Sequence, residues 1–223
     1  MSVVEPASDP DVLCAALRGD GRVRHFRRGQ ALFTEGDRAE RVFLIERGWV
    51  LINCMSPEGR EIVLGIRGDG EIIGEMSTLD GEARSATAVA MGDVEATISP
   101  GAALTRALQD AAAARGLIRI LASRLRDADR TRIQFATLDT LGRVAERLLE
   151  LSDRFGQKTA DGITVELPLS QEQLASWCGA SRESTVKALS TLRSLNCIST
   201  GRQSLVIHDL DTLAVHAQRR PST

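Results

Sequence analysis

Between Ile73 and Thr87 the chain gathers residue types that can hold a small anion. Arg84 offers a planar guanidinium whose fork matches a phosphate or carboxylate. Ser85 adds a hydroxyl donor beside it. Gly74 has no Cβ, so backbone can approach a ligand closely there. If the segment Glu75-Met76-Ser77-Thr78-Leu79 forms a short helix, its first N–H groups point at the anion. Glu75 then becomes an acceptor for a sugar hydroxyl. The competing reading is an ordinary strand–turn–strand with Arg84 in a surface ion pair, and spacing alone leaves both open.

A second stretch, Leu169 to Leu189, reads as helix, tight turn, helix. Ser170 is placed to cap the first helix, with Gln173 three residues on as its capping-box partner. Gly179 stops that helix. Ser181 caps the second, with Ser184 at its third position. Leu174, Ala175, Val186, Ala188 and Leu189 are the candidate inner contacts. Arg182, Glu183 and Lys187 then fall near the start of the second helix, all able to face outward. The start of such a helix is the part that meets base edges in a DNA groove. Arginine pairs with guanine O6/N7 and glutamate accepts from cytosine N4. A merely solvated helix face is the alternative.

Composition narrows what these residues can do. The 223 residues suffice for two domains, and the formal net charge is −2. A global basic signature for nucleic acid is therefore absent. From Asp139 onward there are 10 Lys+Arg and 10 Asp+Glu, so DNA binding there must use locally clustered charge. Cys14, Cys54, Cys178 and Cys197 are scattered without a C-x-x-C pair. Buried thiols in a reducing compartment are expected rather than a metal or iron–sulfur site. No apolar run reaches the roughly 20 residues of a membrane span, and no signal-length run opens the chain. A cytoplasmic location is expected.

The elements that must position the two stretches follow from pattern. Residues 12–17 suit a short helix ended by Gly19 or Gly21, to which no function attaches. From Val23 to Ser99, short β-favouring runs alternate with glycine-bearing turns at a spacing of roughly 8–12 residues, as in a sandwich or jelly roll. Pro100 closes that region. From Ala103 to Phe135 one helix of roughly 45 Å is expected. Ile118, Leu121, Leu125 and Ala128 form a narrow seam along it, continued by Arg132 and Phe135. Such a seam suits a helix packed on a copy of itself, the alternative being a helix lying on its own β domain. Asp139 or Thr140 opens a further helix, apolar from Val144 to Leu151. A strand at 163–167 and a hairpin at 198–207 flank the helix-turn-helix pattern. The tail after Ala217 is expected to fray.

Gly74-Glu75-Met76-Ser77, closed by Arg84-Ser85-Ala86, resembles the phosphate-binding cassette of cyclic-nucleotide-binding domains. The segment 28–37 and Gly48-Trp49-Val50 are similar to the early strands of that domain. Gly179-Ala180-Ser181-Arg182-Glu183 is similar to the helix-turn-helix of the Crp–Fnr transcription regulators. The whole chain, over about residues 20–215, resembles that family. The resemblance implies an α+β architecture: an effector β-sandwich or jelly roll (1–100), a long dimerisation helix (101–138) and a winged helix-turn-helix (139–223). It implies cAMP or another cyclic nucleotide as effector, held by Gly74, Glu75, Met76, Arg84 and Ser85. It also implies a homodimer on double-stranded DNA with a palindromic TGTGA-like site, and RNA polymerase as a partner. Arg182, Glu183 and Lys187 carry over as base or near-base readers, Ser170 and Gln171 match positions that touch phosphate, and Ser181 is counted with them among the DNA-binding residues.

Two departures stand out. The cAMP-responsive relatives place adjacent hydroxyl residues of the long helix on the adenine. The matching positions here are Ala128, which cannot hydrogen-bond, and Asp129, which accepts from an amino group of adenine or guanine. Phosphate and ribose recognition is thus retained, while the base preference is expected to differ. Relatives also commonly read Thr-Val and then a small or polar residue, where this chain has Ser184-Thr185-Val186. Other readings are a ligand-independent, redox, haem or gas-gated regulator of the same family, or a cyclic-nucleotide module governing an enzyme or channel. Only three widely spaced histidines (His25, His208, His216) argue against haem. No nucleophile–base pair or metal triad suggests an enzyme.

Overall fold

The computed structural model describes residues 9–166, 169–201 and 204–218. The chain divides into two compact units, the first made of residues up to 55 together with 64–128, the second of 56–63 and the residues from 129 onward.

The β region has eight short strands, all in the first unit except the first three residues of β5: β1 (Arg22–Phe26), β2 (Ala31–Phe33), β3 (Arg41–Arg47), β4 (Val50–Met55), β5 (Glu61–Arg67), β6 (Ile72–Ile73), β7 (Thr87–Ala90) and β8 (Val94–Pro100). They form two four-stranded sheets, ordered β1-β8-β3-β6 and β2-β7-β4-β5. Phe43 and Ile45 of one sheet meet Val50 and Ala88 of the other in the core between them. The alternate residues of β3, Val42 and Leu44, point outward. They are covered by Leu13 and Leu17 of α1 (Asp9–Asp20), Leu104 of α3 (Gly101–Ala107) and Leu117 of α4 (Ala111–Thr137). Burial on both faces explains why β3 reads as an unbroken apolar run.

The single helix expected from 103 onward is two helices. Asp110 Oδ1 accepts from the N–H groups of Ala112 and Ala113 at 2.8 and 3.0 Å. That local cap ends α3 and restarts the chain as α4, which is 27 residues long, about 40 Å. Its seam is shared. Ala113 and Leu117 are buried on their own unit, with Ile120 and Leu121 partly so, whereas Ile118, Leu125 and Ile133 are exposed.

The second unit holds α5 (Thr140–Phe155), strands β9 (Gln157–Thr159) and β10 (Gly162–Glu166), helices α6 (Gln171–Trp177) and α7 (Arg182–Ser194), strands β11 (Ile198–Gly201) and β12 (Ser204–Ile207), and α8 (Leu210–Ala217). The strands form one antiparallel sheet, β11-β12-β10-β9. Asp139 caps α5 by accepting from Gly142 N. Its apolar face, Val144, Ala145, Leu148 and Leu151, is buried. Helix α8 was not anticipated from the pattern; Asp209 caps it through Thr212 N. Of the tail expected to fray after Ala217, Gln218 is the C-cap of α8; residues 219–223 lie outside the described residues, as do 167–168 and 202–203.

Candidate functional site

Helix α2 (Glu75–Asp80) follows β6 directly, with Gly74 at its N-cap in the left-handed region (φ 78°). Gly74 adopts this geometry at little cost, unlike any residue with a Cβ. The turn brings its carbonyl against Arg84, whose Nη1 donates to Gly74 O at 2.5 Å. Nη2 of Arg84 donates to the carbonyl of Arg41. The guanidinium also lies over the ring of Phe33, 4.5 Å from its centroid. Thr78 Oγ1 donates to Gly74 O at 2.9 Å, so α2 is tied to the same carbonyl.

Arg84 is thus anchored in the protein rather than paired on the surface, with 3% of its area exposed. Burial pulls its pKa below the usual arginine range, opposed by the neighbouring carboxylates of Glu75 and Asp37. Its Nε–H is buried and has no hydrogen-bond partner among the described residues. A buried donor left without an acceptor costs about 1–3 kcal/mol, more for a charged group. An anion against this edge would remove that cost.

Glu75 is 2% exposed. Its Oε1 accepts from Arg124 Nη1 at 2.5 Å, and Arg124 Nη2 donates to the carbonyl of Ile72. The long helix therefore reaches the cassette through Arg124, a residue the sequence reading missed. It lies one helical turn before Ala128, on the same face, which was the available signal. Ser85 and Met76 are exposed, as are Ala128 and Asp129, and Asp129 is paired in-helix with Arg132 at 3.2 Å. A cavity of about 300 Å³ adjoins Arg84, walled in part by Phe33, Asp37, Arg38 and Arg41.

In the second unit the capping signals are realised. Ser170 Oγ accepts from Gln173 N at 3.0 Å, and the Gln173 amide oxygen accepts from Ser170 N at 3.1 Å. Ser181 Oγ accepts from Ser184 N at 3.1 Å. Gly179, at φ 58°, makes the turn between α6 and α7. A Cβ there would meet the ring of Phe135 at 3.1 Å. Arg143 fixes the turn: Nε donates to Cys178 O and Nη1 to Leu138 O, both at 2.8 Å. Leu174, Ala175, Ala188 and Leu189 are buried as expected, but the register of α7 places Thr185 at 0% exposure and leaves Val186 only half-buried. The Thr185 hydroxyl has no partner among the described residues. Gln171, Arg182, Glu183 and Lys187 are exposed on the first turns and the following face, beside the caps Ser170 and Ser181.

All four cysteines are free thiols. Burial pushes the Cys178 thiol up to about 12, the character of a packing residue rather than a reactive one. Among the described residues no group of three or more His, Cys, Asp or Glu is arranged to hold a metal ion. No helix among them is long and apolar enough to cross a membrane.

A β-sandwich carrying an arginine-anchored cassette and a capped helix-turn-helix with a hairpin wing are the two parts of a DNA-binding transcription regulator with a cyclic nucleotide-binding domain. The comparisons agree. Residues 23–111 match the cyclic nucleotide-binding domain and residues 142–215 the Crp-like helix-turn-helix domain. The chain is 34% identical over 216 residues to a CRP-like cAMP-activated global transcriptional regulator of Mycobacterium tuberculosis, covering 96% of this chain and 94% of that one. It is 31% identical to a global nitrogen regulator of Nostoc, covering 86% of this chain and 87% of that one. The fold is similar to a CRP-family transcriptional regulator from Thermus thermophilus, with TM-score 0.76 and 28% identity, covering 88% of this chain and 97% of that one. The chain belongs to the Crp–Fnr family of transcription regulators. Its relatives and its fold are those of regulators, not of enzymes.

Proposed function

We propose that this regulator is gated by a cyclic nucleotide, cAMP foremost, held by Gly74, Glu75, Arg84 and Ser85 with Met76 at the rim. The observation that carries the reading is Arg84: a buried guanidinium, fixed by two carbonyls and a phenyl ring, whose Nε–H has no acceptor among the described residues. The cAMP-activated relative supports the same ligand. Base recognition falls to Ala128 and Asp129, so the base preference or its coupling to DNA binding differs from that of the cAMP-dependent relatives. Effector binding belongs to residues 1–100, dimerisation to 101–138 and DNA reading to 139–223. The exposed Ile118, Leu125 and Ile133 of α4 support a homodimer formed along that helix. Ligand shifts the population toward one pose of the paired helices, which sets the spacing of two recognition helices. Arg182, Glu183 and Lys187 read a palindromic TGTGA-like site in the cytoplasm, with Ser170, Gln171 and Ser181 on phosphates and RNA polymerase as the partner. A second reading, a regulator that no longer needs ligand, draws on Glu75 being already paired with Arg124.

Fluorescence anisotropy with a TGTGA palindrome tests the proposal. cAMP is expected to tighten binding, and Arg182→Ala to cost about 1–3 kcal/mol per lost bidentate contact. Operator affinity that ignores both cAMP and Arg182→Ala overturns it. Affinity that ignores cAMP but needs Arg182 favours the ligand-independent reading.

A further inference from the structure

One ion pair links the first turn of α6 to the first turn of α7. Arg182 Nη1 lies 3.5 Å from Glu172 Oε1, across the turn, with the two side chains 63% and 71% exposed. Each helix start is capped by a serine, Ser170 and Ser181, and Arg182 stands on the first turn of α7, the end that would face DNA. Glu172 and Glu183 set against Arg182 and Lys187 leave these four exposed side chains with no net charge, in a chain whose formal charge is −2.

We propose that Glu172 is a specificity-determining residue that acts by holding Arg182 when the protein is off its site. The proposal rests on Arg182 being a base reader. Sequence-independent affinity for DNA comes from cations meeting phosphates. Arg182 is already engaged, so a phosphate must displace a carboxylate to recruit it and gains little from the exchange. A guanine edge offers Arg182 two acceptors in fixed geometry and compensates for the lost pair. Glu172 thus weakens non-specific binding more than binding at the correct site. The low positive charge of the reading face becomes a means of discrimination rather than a defect.

The test uses the full chain and a mixed-sequence duplex, so that no operator need be known. Anisotropy titrations at low salt compare wild type, Glu172→Gln, Arg182→Ala and the double variant, and thermal unfolding verifies that each is folded. Glu172→Gln is expected to tighten non-specific binding about two- to fivefold, the range of an exposed ion pair. In the Arg182→Ala background the same change is expected to have no effect. Unchanged affinity in Glu172→Gln overturns the proposal. An equal gain in both backgrounds also overturns it, because Glu172 would then repel phosphate directly without acting through Arg182. Absence of binding by the wild type at any salt would remove the DNA reading itself, a result distinct from either.

Discussion

Arg84 Nη1 donates to Gly74 O at 2.5 Å, and a Cβ at position 74 would stand 2.6 Å from that same nitrogen. The glycine therefore does two things. It adopts the left-handed conformation that starts α2, and it leaves room for the guanidinium beside its own backbone. Gly74→Ala is expected to destabilise the first unit by about 1–2 kcal/mol from backbone conformation alone, and to displace Arg84. A lowered thermal midpoint together with weaker cyclic-nucleotide binding is the expected outcome. A variant that retains both would show that the close approach is dispensable.

Thr185 makes the opposite prediction. Its side chain is fully buried in the helix-turn-helix core and its hydroxyl has no partner among the described residues. Thr185→Val keeps the shape and removes the stranded polar group. A gain of about 1 kcal/mol is expected in urea unfolding, the size of a buried group relieved of desolvation. Loss of stability would mean that the hydroxyl has a role that the side-chain contacts do not reveal.

A third prediction concerns pH. The Glu46 carboxylate is held below the usual carboxylate range by hydrogen bonding to Arg18, at 2.7 Å for the closest pair, with Thr97 Oγ1 adding a bond at 2.6 Å and burial opposing both. A carboxylate with a depressed folded pKa stabilises fully above its unfolded pKa and loses that contribution as pH falls through the folded one. Thermal midpoints are therefore expected to fall as pH drops through and below the ordinary glutamate value of about 4.3. Glu46→Gln is expected to start lower at neutral pH and to show a shallower fall. Identical pH profiles in the two proteins would exclude this pair as a contributor.

Particular residues show what was legible in the chain and why the rest was not. Ser170, Gln173, Ser181 and Gly179 announced the helix-turn-helix because capping and left-handed turns are local, and each occupies its expected role. Gly74 and Arg84 were legible as a pair, but their anchors were not. Phe33 and Arg41 O come from strands remote in sequence, brought close only by the sheet topology. Arg124 was overlooked because attention to an apolar seam passes over charged positions on the same helix. The break at Asp110 leaves no mark on a composition rich in Ala, Leu and Arg; a side-chain cap makes it. Strand β6 is only two residues long and exists through its pairing with β3, Phe43 opposite Ile73 and Leu44 opposite Ile72.

The central claim is that buried Arg84 anchors a cyclic nucleotide. Isothermal titration calorimetry of the full chain with cAMP and with cGMP, wild type beside Arg84→Gln, tests it most directly. Saturable heat with at least one nucleotide is expected for the wild type, with affinity lowered more than about tenfold in Arg84→Gln, as for loss of a charge-assisted hydrogen bond. Binding of neither nucleotide, or equal affinity in the two proteins, would contradict the claim.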